Sequence, residues 1–244
     1  MSRNAIVVVN IQRKGTNNLL QYSLESFKDY SKRTNAELIV LSSKKLDQKY
    51  SLHKQSPYEY LRFEKNQIYD LFNTYDRILR LDSDTLIKKD CPNYFDLHSS
   101  NLYVTREDVG SRKDNRLKRI RNIKKQLGEV EGWNDFYFNS GVLLASKLHK
   151  EAFNLNNIDL TKVSGNMQEQ SVLNWLSFYN KFNLVDLGPT FNFLDFFEKD
   201  KVAFKKNSYI IHYAGMTYQD KLTELKNDII KFDLEFKETK HILI

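Results

Sequence analysis

The chain has 244 residues, one cysteine and a net charge of +7. That length suits one α/β domain spanning 1–244, large enough to bury a core without staples. A lone Cys91 excludes a disulfide framework or thiolate metal cluster. No secretory leader is read in the first residues, and nothing approaches the roughly 20 apolar residues of a membrane span. A soluble, cytoplasmic protein is expected, with peripheral membrane contact left open.

Ala5–Val9 is a continuous apolar run, as expected of a strand buried on both faces. Gly15 interrupts the chain, and Thr16–Lys32 then sets Leu20, Leu24 and Phe27 at helical spacing. Glu37–Leu41 predicts a second buried strand, which makes a β-α-β opening and implies a parallel sheet. Pro57 can open a helix whose inward stripe is Leu61, Ile68 and Phe72, with Lys65 near the stripe's centre. Tyr75–Leu81 predicts the third strand, and Asp82, Ser83 and Asp84 follow at its carboxyl end. Open parallel sheets bind their ligands there.

Asn101–Thr105 predicts another strand. The stretch Arg112–Lys125 then carries most of the excess positive charge. It reads either as a solvated helix face or mobile loop, or as a basic arm for phosphate, an acidic acceptor or an anionic membrane. It lacks interleaved aromatics, so nucleic acid is not an expected partner. Phe136–Ser146 predicts a strand containing Gly141, Gln168–Tyr179 a helix, Phe182–Leu187 and Ser208–Tyr213 two strands, and Asp220–Phe236 a closing helix. The predicted class is α/β with a mostly parallel central sheet flanked by helices.

Asp82 and Asp84, one residue apart at a strand end, can turn two carboxylates onto one hard cation, Mn²⁺ or Mg²⁺. An isolated Asp-x-Asp is more often a surface turn; its position after a core strand argues otherwise. A cation on an apolar stripe, as at Lys65, needs an anionic partner or must snorkel to water. His212 ends an apolar strand, where it can be a hydrogen-bonded core residue or a neutral metal ligand. Gly215 permits close backbone approach to a phosphate. Asn139, Ser140 and Gly141 suit either a strand-entry turn or a pocket wall. Glu169 in a helix's first turn is favoured by the helix dipole without any function.

Four segments occur in order: Arg77–Ile87 around the aspartates, Phe138–Leu144, Glu169–Asn174 and Ile211–Gly215. Together they resemble the glycogenin and galactosyltransferase type (family 8) of GT-A glycosyltransferases, with small viral and bacterial relatives, over Ala5–Tyr218. The resemblance implies a GT-A (Rossmann-like) nucleotide-diphospho-sugar transferase fold and a UDP-sugar donor. It makes Asp82, Asp84 and His212 the ligands of Mn²⁺ or Mg²⁺. It sets Lys65 and Ser83 against the donor, Asn139–Ser140–Gly141 around the donor sugar, and Glu169 and Gln170 near the reacting carbon. Asn10, at the end of the first strand, lies where base and ribose sit in that fold. Tyr218 stands where the family has a phosphate-binding lysine, and Lys221 can substitute from one turn later. Glu169 or Asp135 would deprotonate the acceptor if the reaction inverts; Glu169 or Gln170 would stabilise the reacting sugar if it retains. The acceptor would be a glycan, protein or lipid-linked saccharide.

Three other readings compete, and the first, a sugar-nucleotide pyrophosphorylase on a similar sheet, needs a Gly-rich phosphate loop after the first strand that Asn10–Gly15 does not supply. Leu81–Leu86 superficially resembles the nucleophile motif of haloacid-dehalogenase phosphatases, but the chain has no Asp-Asp pair to complete that site. A non-catalytic carbohydrate- or anion-binding module would keep the fold and lose donor turnover.

Overall fold

The computed structural model describes residues 2–11, 18–46, 59–195 and 201–234. Its main sheet contains β1 (Asn4–Val9), β2 (Glu37–Leu41), β3 (Arg77–Asp82), β5 (Asn101–Val104), β6 (Val142–Ser146) and β7 (Asn183–Asp186), in the order β2-β1-β3-β6-β5-β7. β1 runs parallel to β2 and β3, and β5 parallel to β7, whereas β6 is antiparallel to both of its neighbours. A smaller sheet sets β4 (Thr85–Ile87) antiparallel to β9 (Ile210–His212), with β8 (Phe193–Leu194) parallel to β9. The helices are α1 (Leu20–Thr34), α2 (Glu59–Phe63), α3 (Ile68–Leu71), α4 (Lys113–Leu127), α5 (Gln168–Tyr179), α6 (Gly188–Phe191), α7 (Lys201–Asn207) and α8 (Tyr218–Lys231).

Strand alternation builds two apolar layers on the main sheet. Ile6, Val8, Leu79, Leu81 and Leu144 face Phe27 and Tyr30 of α1. Ala5, Val7, Ile78 and Leu143 face Ile68 of α3, Phe72 and Leu173 of α5. α1 starts where Asn18 Oδ1 accepts from Leu20 N at 3.0 Å. It stops at Asn35, whose left-handed φ of 50° suits asparagine.

Several sequence expectations shift at their edges. β2 is an edge strand with no fully buried residue, because only β1 pairs with it. The helix expected from Pro57 begins outside the described residues at that position. What is described there is α2, a 3-10 turn (Glu64–Gln67) and α3 in succession. Only Val142–Ser146 of the expected strand 136–146 enters the ladder. Upstream, Phe138 forms only an isolated antiparallel bridge with Arg106, and backbone N–H groups bond to side chains: Phe138 N to Asn174 Oδ1, Ser140 N to Gln170 Oε1 and Gly141 N to Asn139 Oδ1. The basic stretch is a helix, α4, which buries Arg116, Ile120 and Ile123 and exposes Lys113, Lys118, Arg121 and Lys125. Tyr179, the last residue of α5, is 60% exposed.

One stability prediction arises from the turn after β6. His149 is buried; its Nδ1 accepts from Ser146 N at 3.0 Å, and its Nε2 lies 3.2 Å from the Ser100 carbonyl. Burial lowers its pKa from the ordinary value, against the opposing effect of those backbone bonds. A depressed folded pKa means the unfolded chain binds the proton first. The contribution is therefore complete above the unfolded value of about 6.5 and is lost as pH falls through the lower folded value. Melting temperatures measured from pH 7.5 to 5 should fall less steeply for His149→Asn than for the natural chain. Parallel curves would contradict this assignment.

Candidate active site

β3 delivers Asp82 to its carboxyl end beside the entry of β6, where Asp82 N donates to the Gly141 carbonyl at 2.7 Å. Asp84 follows in the turn to β4. β4 pairs with β9 so that Thr85 faces His212, and Tyr213 N bonds the Asp84 carbonyl at 3.0 Å. The two sheets thus converge on one point. One ligand atom from each of Asp82, Asp84 and His212 lies within 4.8 Å of the others.

His212 Nε2 is 3.4 Å from Asp84 Oδ1 and 3.7 Å from Asp82 Oδ2. Lys65, in the 3-10 turn between α2 and α3, reaches Asp82 Oδ1 at 2.6 Å and donates to Oδ2 at 2.8 Å. Lys221, from the first turn of α8, donates to Asp84 Oδ2. Burial alone would raise both carboxyls. For Asp82 the Lys65 ammonium and His212 outweigh burial, and for Asp84 His212 and Lys221 do, so both sit below the usual carboxylate range.

The residues fit a divalent cation. Two carboxylates and an imidazole form a suitable oxygen and nitrogen donor set. His212 is buried, and its Nδ1 has no hydrogen-bond partner among the described residues. Gly141 keeps the space open: a Cβ there would lie 2.1 Å from His212 Cε1 and 2.9 Å from Asp82 Oδ2.

Behind the aspartates, the opening turn of α5 lines the cleft. Its N-cap, Met167, takes a left-handed φ of 60°, so backbone strain is held at the cleft wall. Glu169 is buried; its Oε1 is 3.3 Å from Arg80 Nη1, its Oε2 accepts from Ser140 Oγ at 2.8 Å, and Lys65 Nζ is 4.0 Å away. Arg80 also donates to the Ser140 carbonyl. Gln170 Oε1 accepts from Ser140 N at 3.1 Å and Asn139 Nδ2 at 3.3 Å, while its Nε2 donates to Glu107 at 2.5 Å.

The cleft, about 230 Å³, thereby gathers Lys65, Asp82, Asp84, Asn139, Ser140, Gly141, Glu169, Gln170, His212, Gly215 and Lys221 of the expected set. Ser83 lines an adjoining groove of about 340 Å³ that shares Lys65, the aspartates and Lys221, and is closed by Val9, Ile11, Leu19 and Leu61. Asn10 lies between two of those wall residues, its own N–H committed to the Leu41 carbonyl at 2.9 Å. Asp135 is not brought to the cleft: its side chain is 70% exposed and its carboxylate lies 3.5 Å from Arg106.

Sequence reasoning passed over Arg80, Glu107 and Arg116. Arg80 carried a readable signal, since a charge inside a buried strand requires a partner. Arg116 was hidden among the other cations of its helix, and Glu107 lies outside any regular element.

The topology and the placement of this cleft define the GT-A fold of nucleotide-diphospho-sugar transferases. The chain belongs to glycosyltransferase family 8, whose model matches residues 5–218. It is a glycosyltransferase. No curated protein matches the chain. Solved structures share the fold at low identity. One is a glycosyltransferase involved in glycosylation of the major capsid of PBCV-1, at 13% identity and TM-score 0.60, covering 91% of this chain and 99% of that one. Another is the galactosyltransferase LgtC with donor and acceptor sugar analogues, at 15% identity and TM-score 0.51, covering 97% and 98%. A third is the glycosyltransferase GlyE of Streptococcus pneumoniae TIGR4, at 16% identity and TM-score 0.51, covering 99% and 66%. Among the described residues no helix is long and apolar enough to cross a membrane.

Proposed function

We propose that this chain is a single-domain, metal-dependent transferase that moves a sugar from a UDP-sugar to a hydroxyl of a glycan, protein or lipid-linked saccharide. The observation that carries this reading is the convergence of Asp82, Asp84 and His212, flanked by Lys65 and Lys221. These three residues would hold Mn²⁺ or Mg²⁺. When bound, such an ion neutralises charge on a departing diphosphate.

Lys65 and Lys221 now spend their charge on the aspartates, and they are the groups free to turn toward phosphate oxygens when a donor enters. There they stabilise the leaving group electrostatically. Gly215, with φ of 78° and nothing among the described residues within 4 Å of its Cβ position, leaves backbone open to a phosphate. Val9, Ile11, Leu19 and Leu61 supply the apolar wall that a base and ribose need. Both Glu169 oxygens already face donors, so Glu169 suits a fixed negative charge near an oxocarbenium-like carbon better than a base. Gln170, locked by bonds at both amide ends, helps shape that wall. Neither the exposed Asp135 nor the committed Glu169 is well set to take an acceptor proton.

The test is a thermal-shift series with UDP-, GDP- and dTDP-sugars, each with and without Mn²⁺. The melting temperature should rise for UDP-sugars, and only when the ion is present. Stabilisation by a saccharide alone, with no response to any nucleotide, would favour the non-catalytic binding module.

A further inference from the structure

Arg80 lies inside β3 and is fully buried, yet its surroundings are largely apolar. Its register partners are Val7 on β1 and Leu143 on β6, it shares a face of the strand with Ile78, and its guanidinium sits 5.9 Å from the centre of the Phe153 ring. A charge placed there is a poor source of stability, because apolar side chains often replace a buried ion pair without loss. Its Nε, moreover, has no partner among the described residues. The guanidinium instead ties together two residues of the cleft wall. Nη1 lies 3.3 Å from Glu169 Oε1, Nη2 donates to the Ser140 carbonyl, and Ser140 Oγ closes the ring by donating to Glu169 Oε2 at 2.8 Å. Glu169 and Ser140 line the cleft, whereas Arg80 stands behind them. Lys65 is the second cation near Glu169, but it is divided: its ammonium lies 4.0 Å from Glu169 Oε2 and 2.6 Å from Asp82 Oδ1. A donor phosphate that draws Lys65 away leaves Arg80 as the cation paired with the Glu169 carboxylate among the described residues.

We infer that Arg80 is a positioning residue for sugar transfer: it is the permanent counter-charge that holds Glu169 at the cleft wall while Lys65 serves the donor. The inference rests on the reading of Glu169 as a fixed negative charge beside the reacting carbon, and it names the group that fixes that charge. Arginine suits the task because its guanidinium stays ionised and its fork reaches Glu169 and Ser140 together.

A double-mutant cycle on Arg80→Met and Glu169→Gln tests this. The first readout is Mn²⁺-dependent UDP release from whichever of UDP-glucose, UDP-galactose and their N-acetylhexosamine counterparts the natural chain turns over fastest. The second is melting of the metal-free protein. Each single variant should lower kcat at least about tenfold while KM stays within about threefold. Added to Glu169→Gln, Arg80→Met should cost less than about twofold more, since Arg80 then has no charge to hold. Arg80→Lys should keep at least about threefold more kcat than Arg80→Met, because it retains the cation. In melting, Glu169→Gln should destabilise the natural chain but stabilise Arg80→Met, where it removes an unpaired buried charge. Arg80→Gln, which keeps a donor for the Ser140 carbonyl, replaces Arg80→Met in the cycle if that variant does not fold. Natural kcat in Arg80→Met, a loss of equal size in both backgrounds, a loss confined to KM, or the same melting shift in both backgrounds overturns the inference alone. So does an Arg80→Lys no more active than Arg80→Met. Natural kcat in Glu169→Gln overturns the reading of Glu169 and this inference with it. Release of UDP from none of the four sugars overturns the donor reading as well.

Discussion

Asp84→Asn is expected to lower turnover of a UDP-sugar by roughly 10²–10³-fold, the scale set by removing one preorganised electrostatic group from an active site. The amide keeps the shape of the side chain but loses the charge that faces His212 Nε2 at 3.4 Å and the Lys221 ammonium. The fold should tolerate the change. The backbone bond from Tyr213 N to the Asp84 carbonyl, 3.0 Å, does not involve the side chain. Lys221, on the first turn of α8, can return to water, and partly exposed ion pairs contribute only about 0–1 kcal/mol. Melting should shift by no more than about 4 °C. Calorimetric titration of Mn²⁺ in the presence of UDP should lose its binding heat. Full turnover in the variant, or in the natural chain with a chelator, would remove the case for a cation site.

Gly141→Ala should be almost as damaging through a different route. The added methyl would lie 2.1 Å from His212 Cε1, 2.8 Å from His212 Nδ1 and 2.9 Å from Asp82 Oδ2. His212 cannot step aside, because its backbone is paired to Thr85 in the small sheet and its ring is buried. Asp82 is equally held, by its N–H on the Gly141 carbonyl at 2.7 Å. Overpacking of this kind costs about 1–3 kcal/mol, a melting shift of about 2–12 °C for a chain of this size. Turnover should fall by at least about tenfold even below the melting range, because the methyl takes the space between the candidate ligands. Natural turnover and stability would show that β6 can shift at its entry.

Much of this arrangement was readable beforehand, and the unread parts have identifiable causes. The alternation and apolar runs of β1, β3 and β5 and the periodicity of α1 and α5 come from local burial, so composition along the segment reveals them. The segment 136–141 was misread as strand because its apolar residues are buried. Its strand pairing is limited to an isolated bridge with Arg106, and three of its N–H groups go to the Asn174, Gln170 and Asn139 side chains, which no local pattern announces. β4 and β8, three and two residues long, are too short for any period to show. At the site, Asp82, Asp84, Lys65 and His212 could be singled out because each is a polar residue at an apolar segment's end or centre. Arg116 could not, since its neighbours are also basic and only the tertiary placement of Glu107 distinguishes it.

The split origin of the three candidate ligands has a thermodynamic consequence. Asp82 belongs to the main sheet, whereas His212 belongs to the small one and Asp84 is tied to it through Tyr213. Any ligand that grips all three residues also cross-links the two sheets. Its binding free energy and the docking free energy of the small sheet are then linked quantities, and neither can change without the other. A substitution in the cluster around Leu86, Ile211 and Tyr213 would therefore be felt as weaker affinity at the cleft, although none of its atoms touches the occupant.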